Sequence, residues 1–81
     1  MTYFIIEIQV NQDETAGNLV YAKTDLNEAL STFHSILASA AVSTLKKHTA
    51  VVMNENGEYI DRGSFEHEPE EVTPDESEET N

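Results

Sequence analysis

Thr2–Val10 reads TYFIIEIQV, and the alternation inside it decides the fold class. Successive side chains of a strand point to opposite sides. Phe4, Ile6, Ile8 and Val10 therefore share one face, and Tyr3, Ile5, Glu7 and Gln9 share the other. The first face is wholly apolar and the second half apolar, which predicts a central strand with one face fully buried and the other partly covered. Asn11–Asn18 (NQDETAGN) is polar, carries Gly17 and reads as a loop. Leu19–Thr24 (LVYAKT) reads as a second strand, antiparallel to the first because the connection is short.

Asp25 opens a helix, with its carboxylate placed to accept from the first-turn N–H groups and Glu28 placed to complete a variant capping box. Leu26, Ala29, Leu30, Phe33, Ile36, Leu37, Ala40 and Ala41 follow at helical spacing as one apolar stripe. Lys46 and Lys47 fall just past the last turn, where positive charge suits the helix dipole. His48–Asn54 (HTAVVMN) is a third strand. Asn56-Gly57 signals a hairpin with a type I′ turn, and Glu58 to about Phe65 returns as a fourth strand in which Gly63 marks a bulge or an early end. The predicted class is α+β: a β-β-α-β-β chain, four-stranded, with one helix packed on one face. Residues 1–67 form the domain and 68–81 (EPEEVTPDESEETN) a disordered acidic tail. Strand order is left open by these signals.

One helix covers one face, so the other face carries surplus apolar side chains. Tyr3, Ile5, Glu7, Tyr21 and Tyr59 are the expected interaction surface, and a homodimer is the simplest occupant, since two-fold self-association is the commonest oligomeric state. Scattered single apolar exposure is the bland alternative.

The chain has 81 residues, 16 acidic against 4 basic, and a formal charge of -12. This charge repels phosphate backbones and anionic lipid, so neither direct nucleic-acid binding nor membrane binding is expected. No apolar run approaches the roughly 20 residues that a membrane-spanning helix needs. Cysteine is absent, which excludes disulfides, thiolate nucleophiles and thiolate metal sites and fits a cytoplasmic setting. Eight acids (Glu66, Glu68, Glu70, Glu71, Asp75, Glu76, Glu78 and Glu79) lie after Phe65 with no Lys or Arg among them. They form a candidate recognition segment for a basic protein partner, or simply a solvating extension.

His34, His48 and His67 have no metal-ligand spacing on a helix and read as structural or surface residues, although any further role of His34 and His48 stays open. His34 borders the apolar stripe and is expected half-buried. Glu7, the one acid inside the first strand, is expected to face an edge or a dimer partner. Ser31, Ser35, Ser39 and Ser43 lie on or near the helix with no nucleophile elbow or oxyanion loop, and no phosphate loop, zinc or calcium motif occurs. No catalytic residue, cofactor or metal site is read, and no enzyme is expected. The small-residue run Ala38–Ser43 allows close approach to the chain's own sheet or to a partner helix.

MTYFIIEIQ (1–9), EALSTFHSILASAAVS (28–43) and HTAVVMNENG (48–57) resemble a family of small proteins of gut Firmicutes and their phages or conjugative elements. The resemblance spans about residues 1–68 and omits the tail. It implies an accessory protein of a mobile element and carries over no catalytic residue. The leading functional expectation is a non-enzymatic interaction module that self-associates through its sheet. The alternatives are an acidic inhibitor or nucleic-acid mimic that blocks a basic nucleic-acid-binding protein, and a small virion-associated structural protein.

Overall fold

The computed structural model describes residues 1–68. Its elements are β1 (Tyr3–Val10), β2 (Ala16–Lys23), α1 (Leu26–Ala41), β3 (Lys47–Asn54) and β4 (Tyr59–Glu66). The predicted β-β-α-β-β order holds, with the four strands in one antiparallel sheet of order β2-β1-β3-β4. β1 lies inside the sheet, between β2 and β3, as its one apolar and one half-apolar face predict. The expected disorder of the tail concerns residues that lie, from 69 onward, outside those described.

β2 starts three residues earlier than its apolar run suggests, because Ala16, Gly17 and Asn18 pair with Val10, Gln9 and Ile8. It is an edge strand, exposed along most of its length, so polarity there reports solvent and not the absence of pairing. The connection shrinks to five residues, closed by Asn11 N–H donating to Thr15 (2.8 Å) and Glu14 N–H donating to Asn11 (3.0 Å). The β3–β4 turn repeats this geometry: Asn54 donates to Glu58 (3.0 Å) and Gly57 to Asn54 (2.9 Å). Only Gly57 has positive φ there, at 83°. Three residues therefore lie inside the Asn54–Glu58 bond, and the turn is not the two-residue type I′ hairpin, which needs positive φ at both central residues. Glu14 occupies the equivalent position of the first turn with φ 73°, where a Cβ is costly.

Asp25 caps α1 as its position predicts, its Oδ2 accepting from Glu28 N–H at 3.1 Å; the reciprocal bond of a capping box is absent. The lysines do not serve the helix C-terminus. Lys46 pairs with Glu14 and Lys47 with Glu66 (3.2 Å). Instead His67, just past β4, places Nε2 at 2.9 Å from the Ala40 carbonyl oxygen. The His67 ring thus adds a second contact to a carbonyl that already accepts from Ser43 N–H (3.3 Å) past the end of α1.

Ile5, Ala29, Phe33, Ile36, Ala50 and Val52 form the core, with Tyr3, Leu30 and Leu37 packed against it. Gly63 is neither a bulge nor an end. It pairs with Ala50 beneath the helix, and a Cβ there would lie 3.0 Å from Leu37 Cδ1. Its missing side chain lets Leu37 sit on β4; the sheet irregularity falls between Val52 and Met53. His34 is exposed and not half-buried.

The core contains Ile5, which overturns the expected choice of face. β2 and β3 both run antiparallel to β1 and so are parallel to each other, making β2–α1–β3 a crossover over one strand. Asn11 donates its N–H to Thr15, so the odd-numbered residues of β1 direct their backbone groups toward β2. With L-residues, that orientation puts odd side chains on the side covered by a right-handed crossover, the overwhelmingly preferred hand. The helix accordingly covers Tyr3, Ile5 and Glu7 and leaves Phe4, Ile6, Ile8 and Val10 open.

Two variants check these assignments by chemical denaturation. Phe33→Ala empties the centre of the core and is expected to cost about 3–5 kcal/mol, most of the stability of a domain this small. Glu14→Gly removes the positive-φ penalty and is expected to stabilise by about 0.5–1 kcal/mol, net of a weak surface ion pair.

Candidate functional site

Two features stand apart from the core. One is the open sheet face and the other is a groove beside α1.

Pairing register places Phe4, Ile6, Ile8 and Val10 beside Val20 and Ala22 of β2 and Val51 and Met53 of β3, with Tyr59 of β4 next to Met53. Val20 is 57% exposed and Tyr59 68%. The charged residues of this face are Lys47, Arg62 and Glu66, and Lys47 is already paired with Glu66. Arg62 then leaves the face net positive in a chain of net charge -12. Of the five residues expected to form the interaction surface, only Tyr59 lies here. Ile5 is fully buried, Tyr3 packs on the core, and Glu7 and Tyr21 face the helix side.

On the helix side, Glu7 and His48 meet across β1 and β3. Glu7 Oε2 lies 2.7 Å from His48 Nε2 and accepts from Gln9 Nε2 at 2.9 Å. Both residues are buried. Glu7 therefore faces neither an edge nor a partner, contrary to expectation, because the helix covers its face. Burial pushes its carboxyl up, but hydrogen bonding from His48, Gln9 and Tyr21 and the charge of His48 together outweigh that and hold it below the ordinary value. His48 Nδ1 is buried without a partner. The enclosed imidazole is oriented by its carboxylate, and the pair ties β1 to β3 beneath the helix.

α1 lies chiefly over β3 and β1 and least over β2. The space left beside β2 is a groove of about 350 Å³ lined by Glu7, Tyr21, Ser31, Ser35, Ile36 and Ser39. Sequence reading named these residues singly; the signal it missed is that Ser31, Ser35 and Ser39 recur every fourth residue on the flank that turns toward β2.

Among the described residues no cluster of three or more His, Asp or Glu side chains is placed to hold a metal ion, and no helix is long and apolar enough to cross a membrane. Glu66 and Glu68 lie at the end of the described chain; the other six tail acids, Glu70, Glu71, Asp75, Glu76, Glu78 and Glu79, lie outside it. Comparison with protein-family models, with curated proteins and with solved structures returns no match.

The Glu7–His48 tie has a pH signature. Because the folded-state pKa of Glu7 is below its unfolded value, its contribution is complete above about pH 5 and is lost as pH falls through the folded-state pKa. Glu7→Gln is expected to cost about 1–3 kcal/mol at pH 7, and the gap between variant and wild type to narrow between about pH 5 and pH 3 in denaturation series.

Proposed function

We propose that the protein is a non-enzymatic interaction module that pairs with a second copy of itself through the open sheet face. One observation carries the reading: every outward residue of the central strand β1 within the paired region (Phe4, Ile6, Ile8 and Val10) is apolar, on the face that the single helix leaves uncovered. Apolar surface of this extent on a small chain marks a contact site. Four strands of eight residues present a face of roughly 500 Å², so two copies bury on the order of 1,000 Å² or more, the size at which specific interfaces begin.

The charge pattern leaves this face open to a second copy. The chain carries -12, so two copies repel in most orientations. On this face the one carboxylate is paired with Lys47 and the remaining charge is the Arg62 guanidinium. Face-to-face pairing therefore brings no unpaired carboxylates together, and the charge it encloses is one Arg62 guanidinium from each copy. The accessory role on a mobile element that the sequence resemblance implies is compatible with such a module.

A nucleic-acid mimic fits the described residues less well, because their acids divide between the two ends of the sheet, with Glu14, Glu66 and Glu68 gathered at one. Asp13 and Glu14 lie at one end of the sheet and Glu55 and Glu58 at the other, separated by a strand length of roughly 26 Å. They form no continuous phosphate-like array.

The test is the solution mass of the full chain by light scattering. Wild type is expected at twice the chain mass. The double variant Ile8→Lys, Val20→Lys, both positions already partly exposed, is expected to be monomeric with an unchanged circular dichroism spectrum. A monomeric wild type, or a double variant that stays dimeric, would refute the assignment.

A further inference from the structure

The groove beside α1 has a chemical character of its own, on the face opposite the proposed dimer contact. At its inner wall is Glu7, which meets His48 and Gln9 through Oε2 and has the Tyr21 hydroxyl as a further hydrogen-bonding neighbour of its carboxylate. Neither the His48 nor the Gln9 contact uses Oε1. The carboxylate is nine-tenths buried and lines the groove. Ser31, Ser35 and Ser39 rise one helical turn apart along the opposite wall, spanning about 12 Å. Ile36 and the Tyr21 ring supply apolar surface between them. Leu19 of β2, on this side of the sheet, is 52% exposed because the helix leans away.

The geometry points to a binding site for a short aliphatic amine, its ammonium held by Glu7 Oε1 and its methylenes lying on Ile36 and Tyr21. A carboxylate oxygen only accepts, so Oε1 calls for a donor group, and the choice among donors follows from the oxygens the groove offers. Magnesium or calcium would need about six oxygen ligands around a tight centre, whereas this groove offers a single carboxylate. A guanidinium binds best as a fork across both carboxylate oxygens, but Oε2 already serves His48 and Gln9. An ammonium is a compact donor of three hydrogen bonds. It needs one carboxylate oxygen and two further acceptors, which hydroxyls can supply. The partial burial of Glu7 strengthens such a contact relative to one in open water. The inference does not depend on whether two copies pair.

Nitrogen–proton correlation spectra of the full chain, titrated with putrescine at about 150 mM salt, test it. The expected result is saturable shifts of the Tyr21, Ser31, Ser35 and Ser39 amides, with no response to butanol, which has the same methylenes and no charge. Ser35→Leu fills the groove at an exposed helix position and leaves the Glu7–His48 pair intact. It is expected to weaken binding at least about tenfold, a change of about 1.4 kcal/mol. Glu7→Gln is expected to do the same while retaining the folded spectrum. Shifts confined to Asp13, Glu14, Glu55, Glu58 and the tail would show diffuse charge attraction and overturn the site. Equal binding of butanol, or unchanged affinity in Ser35→Leu, would overturn it as well.

Discussion

A four-stranded sheet with one helix has two faces and a cover for only one, and the rest of this molecule follows from which face is covered. The choice is not made by hydrophobicity. The more apolar face of β1, with Phe4, Ile6, Ile8 and Val10, is left open, while the face interrupted by Glu7 and Gln9 lies beneath the helix. Backbone handedness outweighs the transfer preference here, because a left-handed β2–α1–β3 crossover opposes the twist of the strands it joins. The apolar face left open by topology is the surface on which the proposed self-pairing rests.

Covering the less apolar face has its own consequence. Glu7 and His48 are enclosed and must satisfy each other, since a buried carboxylate without a partner is strongly unfavourable. The helix accommodates this by lying over β3 and β1, where Gly63 lets Leu37 settle against β4. The shift uncovers the inner side of β2. The exposed Leu19, the groove and the serine row are thus products of the same placement, and the carboxylate that ties β1 to β3 also lines the groove.

The remaining polar ties hold the ends of several elements to this frame. Gln12 of the first turn donates to the carbonyls of Thr44 and His67, and His67 N–H donates to Lys46. With the His67 imidazole at the Ala40 carbonyl, these bonds join the first hairpin, the end of α1 and the end of β4. They explain why β4 extends to Glu66, beyond the point where its apolar pattern fades. Regularity of the backbone there is maintained by hydrogen bonds and not by side-chain burial.

The order of elements, the Asp25 cap, the helical stripe and the central place of β1 were all legible in the sequence, because each rests on local periodicity or on one side chain meeting the backbone nearby. Edge-strand limits were less legible: polar residues such as Asn18 look the same in a loop and on a solvated strand. The type of the second turn was misread because Asn56-Gly57 suits more than one geometry, and the register decides between them. Three features came only from tertiary structure. These are the face the helix covers, the meeting of Glu7 with His48, and the groove between Tyr21 and the serine row. Each depends on how strands distant in sequence are ordered and on the hand of one crossover, and periodicity along a single strand is identical for either choice of face.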